Sequence, residues 1–382
     1  MPNVHLLNKI SKAGLSVLPE DWTITEDIDA ADAILVRSHK MHDMTLSERT
    51  LAVARAGAGV NTIPLETYAE QGIIVFNTPG ANANAVCELT LAGMFLAMRD
   101  IVGGINDVTA RRDDPDLAKT VETIKGAYGG FEVRGKTLGI IGLGTIGMMV
   151  AKAARHLGMR VVATRRNLDA VREEAQASGL DLVGTPEEIY PIADIISLNL
   201  PLVDKTRHIV SDDAFRLMKD GVVILNFARA GLVDDDALER AIIAGQVRRY
   251  VTDFPNAKTA NMDNVIAIPH LGASTAESEE NCARMAAEQV RDLILKGTVR
   301  NAVTYPDIDV PDLGDRTRLL ILMSDTDALD DVLRLTKPYE SGHAVKGSYA
   351  VIWADGEKTA INALDDGIKG IRGVTRTRRI KG

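Results

Sequence analysis

The chain has 382 residues and a formal net charge of −9, with 46% hydrophobic and 25% charged residues. That is ordinary globular composition spread over more sequence than one core holds, so two or three domains are expected. The acidic balance argues against nucleic acid or an anionic membrane as partner, no run reaches the ~18 apolar residues of a membrane span, and 4% aromatics leave little for base stacking.

Residues 1–98 alternate short apolar runs with helical stretches. Residues 33–36, 51–54 and 73–76 read as parallel strands, and 82–98 as a long helix rich in Ala and Leu. Residues 99–135 are polar and read as irregular, with a loop at 111–115. A second α/β unit follows. Its strands are 138–141, 161–164, 195–200, 222–227, 250–252 and 265–268, with helices between them. Such alternation predicts a doubly wound parallel sheet that takes ligands at the carboxyl ends of its strands. Residues 276–296 read as one long helix that crosses back to the first unit, and 306–311, acidic and bounded by prolines, as a linker. The tail reads strand (318–322), helix (328–335), strand (348–353), helix (358–369), strand (374–380). One more strand near 339–345 would complete a β-α-β-β-α-β domain. The expected domains are 1–98 with 287–306 returning to it, 99–286, and 312–382. Cys87 and Cys282 lie far apart in no metal-like spacing, and the start Met1-Pro2-Asn3-Val4-His5 is not a basic-then-apolar signal. Both features suit a cytoplasmic protein with buried thiols and no metal.

The most informative stretch runs from Lys136 to Gly147. It reads as a buried strand, a Gly142-Leu143-Gly144-Thr145-Ile146-Gly147 turn and a helix start, followed by the amphipathic run 148–157 and the C-cap glycine Gly158. A G-x-G-x-x-G turn lets the backbone approach a pyrophosphate, whose charge meets the N–H groups and dipole of the helix. The next strand ends in Thr164-Arg165-Arg166. An Asp or Glu there, about 20 residues past the turn, would accept from the ribose 2′-OH of NAD. An arginine accepts nothing but pairs with a 2′-phosphate. The cofactor is thus NAD(H) or NADP(H), with NADP(H) favoured by Arg165 and Arg166; two solvated surface arginines are the plainer alternative.

Arg229, in Asn226-Phe227-Ala228-Arg229, follows a very apolar strand. Its planar fork suits a carboxylate, against the alternative of a structural ion pair. His270, in Pro269-His270-Leu271-Gly272, follows another such strand and suits proton transfer near neutral pH. In the first unit, Arg37-Ser38-His39-Lys40 and Arg55-Ala56-Gly57-Ala58-Gly59 also follow buried strands. A glycine turn with flanking cations holds carboxylate or phosphate through N–H groups and charge; simple exposed turns are the alternative.

Five segments, taken in order, carry a resemblance. They are Arg-Ala-Gly-Ala-Gly from Arg55, Asn-Thr-Pro-Gly from Asn77, Gly-Lys-Thr-Leu-Gly-Ile-Ile-Gly-Leu-Gly-x-Ile-Gly from Gly135, Asn-Phe-Ala-Arg from Asn226 and Pro-His-Leu-Gly-x-Ser-Thr from Pro269. Across residues 30–306 the chain resembles the D-isomer-specific 2-hydroxyacid dehydrogenases, and within them the branch that acts on 3-phosphoglycerate. The resemblance implies an α/β fold of two doubly wound parallel-sheet domains, a flavodoxin-like substrate domain and a Rossmann cofactor domain, plus a small α+β ACT-like tail. It implies hydride transfer between NAD(P) and a small 2-hydroxy acid, 3-phosphoglycerate going to 3-phosphohydroxypyruvate as in serine biosynthesis. The alternatives are an NADPH-dependent glyoxylate or hydroxypyruvate reductase and a non-catalytic NAD(P)-sensing regulator. It also implies a homodimer or homotetramer assembled through the cofactor domain.

The resemblance assigns roles residue by residue. Arg229 would hold the substrate carboxylate and carbonyl, and His270 would exchange the hydroxyl proton. Ala58 and Gly59 would bind the carboxylate through N–H groups, and Arg37, Ser38 and Arg55 would face the phosphate. Asp253 would contact the nicotinamide carboxamide, with Leu200, Pro201, Thr206, Phe227, Ala228 and Gly272 lining the cofactor. There are departures. Lys258 stands where the family places a Glu that pairs with the catalytic histidine, and without that carboxylate the histidine holds its proton less firmly. Arg165 stands where most relatives carry Asp, and Asn199 where many have His. In the tail, Ser324-Asp325-Thr326-Asp327 lacks the Asn-x-Pro-Gly turn used around an amino acid. That argues against serine feedback and for a role in assembly.

Overall fold

The computed structural model describes all of residues 1–382, which divide into two compact units, 1–82 with 275–382 and 83–274. In the first unit, β1 (Asn3–Leu6), β2 (Thr23–Thr25), β3 (Ala33–Val36), β4 (Ala52–Arg55) and β5 (Ile74–Phe76) form a parallel sheet in the order β2-β1-β3-β4-β5. This is a flavodoxin-type doubly wound order. All four residues of β3 are buried, as expected of a parallel strand covered on both faces.

The second unit holds β6 (Thr137–Ile141), β7 (Arg160–Thr164), β8 (Asp181–Leu182), β9 (Ile195–Leu198), β10 (Val222–Asn226), β11 (Val247–Thr252) and β12 (Val265–Ala267). Their order is β12-β11-β10-β9-β6-β7-β8, all parallel. The order reverses beside β6, so β6 and β9 flank the switch point where such sheets take dinucleotides.

The tail contributes β13 (Thr317–Met323), β14 (Glu340–Lys346), β15 (Tyr349–Gly356) and β16 (Val374–Lys381), an antiparallel sheet in the order β14-β15-β13-β16. Helices Leu329–Thr336 and Lys358–Ile368 complete the β-α-β-β-α-β pattern, with β14 falling on the expected strand near 339–345. Inside the tail, Arg318 and Asp355 form a fully buried pair whose guanidinium also donates to the Lys296 and Pro311 carbonyls.

The unit boundaries fall elsewhere than at 98/99 and 286/287. Helix Ala83–Met98 packs on helix Thr145–His156 and on β10 and β11, so it belongs to the second unit. Its Gly93 touches the Phe227 ring, where a Cβ would come within 2.6 Å. Helix Ala276–Lys296 lies wholly in the first unit, against β3 and β4. The Thr275 hydroxyl caps its start by accepting from the Ser278 N–H at 3.1 Å, and Gly297 at φ +81° ends it. The tail clusters with the first unit, although it has its own sheet and core.

The segments expected to be irregular (99–135) and a linker (306–311) prove to be ordered, while the loop at 111–115 stands between two helices. Residues 99–135 contain helices Ile101–Ala110 and Leu117–Ile124, neither of which buries a residue. The Asp100 carboxylate caps the first by accepting from the Gly103 N–H at 3.2 Å. The segment 306–311 is anchored, since Ile308 pairs with Val299 and the preceding Tyr305 donates to the Ala69 carbonyl at 2.7 Å. Cys87 and Cys282 are free and buried. No helix is long and apolar enough to cross a membrane.

Candidate active site

The expected residues gather in two sets, one at the carboxyl ends of each parallel sheet. In the second unit, β6 ends in a turn that only glycine permits. Gly142 has φ +102°, and a Cβ on it would lie 2.4 Å from the Asn199 carbonyl oxygen. A Cβ on Gly147 would lie 2.4 Å from the Gly142 oxygen, so that glycine lets the helix close onto the turn. Gly144 is the N-cap of helix Thr145–His156, with open space where its side chain would be. No side chain caps this helix and no acidic residue lies in its first turn. The N–H groups of Thr145, Ile146 and Gly147 are therefore available to an anion.

Beside the turn, β7 ends at buried Thr164, whose carbonyl accepts from the N–H groups of Gly142 and Leu143 at 3.0 Å each. The Arg165 guanidinium folds back onto the Leu143 carbonyl at 3.2 Å, while Arg166 is exposed. After β9, the Thr206 hydroxyl donates to the Pro201 carbonyl at 2.6 Å and closes the loop that carries Leu200 and Pro201.

Arg229 is presented by Asn226, a fully buried residue at the end of β10. The Asn226 side-chain amide donates to the Arg229 carbonyl at 3.0 Å, and its oxygen accepts from the N–H groups of Ala228 and Arg229 at 3.2 and 3.3 Å. Arg229 lies 5.6 Å from the centroid of the Phe254 ring, and the His270 ring lies 4.3 Å from the same centroid. Phe254 thus contacts both the guanidinium and the imidazole. Neither Phe254 nor Asn226 does chemistry itself; Asn226 opens the quoted Asn-Phe-Ala-Arg segment, which was the available signal for it, while Phe254 lies in no quoted segment and had only its place next to Asp253.

Asp253 is 1% exposed. Its Oδ2 accepts from the Gly272 N–H at 3.0 Å, while its Oδ1 is buried and has no partner. Burial raises its carboxyl above the usual range, opposed by the Gly272 N–H and the charge of His270. An orphaned buried acceptor at the carboxyl end of β11 has the chemistry to receive a carboxamide NH₂. With the glycine turn, it makes these residues fit a nicotinamide dinucleotide. Lys258 points elsewhere: its ammonium pairs with Asp236 and, at 2.9 Å, with Glu239. His270 makes no hydrogen bond to a carboxylate, so the position expected to hold Glu supplies it no partner.

In the first unit, the Asn8 side-chain oxygen accepts from the N–H groups of Arg37, Ser38 and His39 at 3.0 to 3.1 Å and shapes the loop after β3. Arg37 pairs with Glu279 at 2.7 Å. Arg55 Nε donates to the Arg37 carbonyl at 3.0 Å. The Ala58 carbonyl accepts from Asn77, and the N–H groups of Ala58 and Gly59 donate to nothing within the protein.

Residues 92–272 match the D-isomer specific 2-hydroxyacid dehydrogenase NAD binding domain. The chain is 34% identical over 328 residues to a D-3-phosphoglycerate dehydrogenase of Methanocaldococcus jannaschii, a match covering 84% of this chain but only 60% of that protein. It thus spans less than two thirds of that relative's length. It is 33% identical over 299 residues to a hydroxypyruvate reductase of Thermotoga maritima, covering 75% of this chain and 92% of the relative. Among solved structures, a glyoxylate reductase from Paecilomyes thermophila is similar with a TM-score of 0.65 and 27% identity, over 79% of this chain and 98% of that one.

Proposed function

The chain belongs to the D-isomer-specific 2-hydroxyacid dehydrogenase family, and from that premise we propose that it interconverts 3-phosphoglycerate and 3-phosphohydroxypyruvate with a nicotinamide cofactor. The observation that carries this reading is the grouping of Arg229 and His270 about Phe254, beside the orphaned Oδ1 of Asp253.

The bound cofactor supplies the hydride acceptor in oxidation and the donor in reduction. Arg229 holds the substrate carboxylate and carbonyl oxygen through its fork, which neutralises charge that develops on that oxygen. His270 takes the hydroxyl proton in oxidation and returns it in reduction. Asp253 orients the nicotinamide by accepting from its carboxamide, and the turn at Gly142–Gly147 holds the pyrophosphate. Leu200, Pro201, Thr206, Phe227, Ala228 and Gly272 line the cofactor. Ala58 and Gly59 hold carboxylate through free N–H groups, and Arg37 with Ser38 and Arg55 meets the phosphate.

We favour NADP(H) over NAD(H). No carboxylate ends β7, and Arg165 lies on the turn that would cradle the phosphates. A homodimer or homotetramer formed through the second unit is supported by exposed Ile101, Ile105 and Val108 along one helix and by exposed Phe131. Unpaired buried thiols suit a cytoplasmic enzyme.

One observation favours a second reading, a reductase of unphosphorylated hydroxypyruvate: Arg37 is already paired with Glu279. Steady-state rates on phosphohydroxypyruvate and hydroxypyruvate, each with NADH and NADPH, separate the two. A higher kcat/KM on the phosphorylated acid is expected. Preference for plain hydroxypyruvate would transfer the assignment to the reductase, and equal or tighter NADH binding would remove the NADP(H) preference.

A further inference from the structure

The backbone around His270 is held on both sides by the end of β11. The Ile268 N–H donates to the Thr252 carbonyl at 2.9 Å, and the Gly272 N–H to the Asp253 carboxylate at 3.0 Å. What remains free is the side chain. His270 is exposed, and its ring makes no hydrogen bond or ion pair within the protein. The place where a glutamate would meet it holds Lys258, whose ammonium is committed to Asp236 and Glu239. A histidine with a carboxylate partner has its ring orientation and its tautomer set by that bond. Here the imidazole meets the ring of Phe254 instead, 4.3 Å from centroid to centroid and tilted by 47°.

Phe254 is itself mounted on stiff chain. Its N–H donates to the hydroxyl of Thr252, a fully buried residue, at 3.0 Å. Asp253 before it is anchored by Gly272, and Pro255 after it biases Phe254 toward extended backbone. The half-buried phenyl ring therefore has few orientations open to it. A tilted aromatic pair is attractive beyond the area it covers, and the attraction depends on the angle between the planes. The same ring also has the Arg229 guanidinium 5.6 Å from its centroid. Arg229 is tied as well to the Ala228 carbonyl, and its backbone to Asn226, so it has supports that the His270 side chain lacks.

We propose that Phe254 is the positioning residue of His270, setting the plane of the imidazole by packing where a carboxylate would set it by hydrogen bonding. Packing of this kind gives direction alone. It selects no tautomer and leaves both imidazole nitrogens without a protein partner, one of them for the substrate hydroxyl. Phe254 acts through His270 and moves no proton itself. The role rests on the dehydrogenase reading given above.

Three variants of the full chain test it. Phe254→Leu and Phe254→Met keep apolar bulk and lose the flat face, whereas Phe254→Tyr keeps both. General acid–base catalysis is worth about 10²–10⁴-fold, and a freely turning imidazole forfeits part of it. Leu and Met at this position should therefore lower the single-turnover rate of hydride transfer, at saturating substrate, about tenfold to a hundredfold. KM should move about threefold at most, because Arg229 keeps its other supports. Phe254→Tyr should stay within about threefold of the unsubstituted rate. A second readout needs no turnover. In protein labelled at its seven histidines, the His270 resonance, assigned by its loss in His270→Asn, should be displaced by the ring current of Phe254. The displacement should collapse in the Leu and Met variants and persist in Phe254→Tyr. An unsubstituted rate in both the Leu and Met variants, a loss confined to KM, or a His270 resonance indifferent to all three substitutions overturns the proposal. An unsubstituted protein that turns over neither hydroxypyruvate nor its phosphate overturns the proposed function instead, and the resonance then decides alone whether Phe254 orients His270.

Discussion

Arg37 and Glu279 meet at 2.7 Å, guanidinium to carboxylate, with side chains 38% and 42% exposed. A pair so exposed is worth about 0–1 kcal/mol. A charge-assisted hydrogen bond to phosphate is worth about 1.5–3 kcal/mol, enough to displace Glu279. Arg37→Ala is therefore expected to raise KM for phosphohydroxypyruvate about tenfold to a hundredfold, at about 1.4 kcal/mol per decade, and to leave hydroxypyruvate unaffected. Glu279→Gln removes the competitor and should lower the same KM. Equal effects on both substrates in Arg37→Ala would show that this arginine does not read the phosphate.

Arg229 spends one nitrogen on the Ala228 carbonyl at 2.6 Å and has the rest of its fork uncommitted. A lysine offers a point charge and cannot make the bidentate contact. Arg229→Lys should lower kcat/KM about tenfold to a hundredfold, the worth of one charge-assisted bond, while cofactor affinity by fluorescence titration stays unchanged. Turnover at the unsubstituted rate would sink the role given to Arg229.

What the sequence made legible, and what it hid, follows from how each residue acts. The glycine turn could be read because Gly142 and Gly147 are forced by contacts with backbone a few residues away or on the next strand. Arg229 and His270 could be read because a charged or titratable group at the end of an apolar strand is itself anomalous. Asn226, Asn8 and Phe254 stayed hidden because they work by holding backbone or filling space, and such roles exist only after folding. The Glu279 partner of Arg37 was hidden by its distance along the chain. Helix Ile101–Ala110 was mistaken for irregular chain because it buries nothing, so its stripe of Ile101, Ile105 and Val108 had no core to face. The same stripe is a candidate surface for the proposed assembly: if the assembly forms there, Ile105→Asp should convert it to monomer in sedimentation.

Lys258 occupies the place where a glutamate was expected, yet its side chain turns to Asp236 and Glu239. These carboxylates hold its ammonium above the usual lysine range. Restoring the family residue as Lys258→Glu would set three carboxylates together. The expected outcome is a lower Tm at neutral pH, most marked at low salt, with no gain in kcat. A rise in kcat, or a shifted pH–rate profile, would show instead that this loop can deliver a carboxylate to His270.

Asp253 is the residue whose charge works against the fold. Burial is the largest influence on it and raises its carboxyl above the unfolded value of about 3.9. Its favourable contribution is therefore complete below that value and is lost as pH rises through the folded one. Asp253→Asn removes the buried charge, and its amide oxygen can still accept from the Gly272 N–H. The variant is expected to be more stable than the unsubstituted protein at pH 7 in urea denaturation. That gap should shrink as pH falls toward the unfolded carboxylate range. Its NH₂ group would then stand where the orphaned Oδ1 stood, a donor facing a carboxamide donor. Cofactor affinity should fall about tenfold for the lost hydrogen bond. A variant that binds NADH and NADPH as tightly as before would mean that Oδ1 has some other partner in the working enzyme.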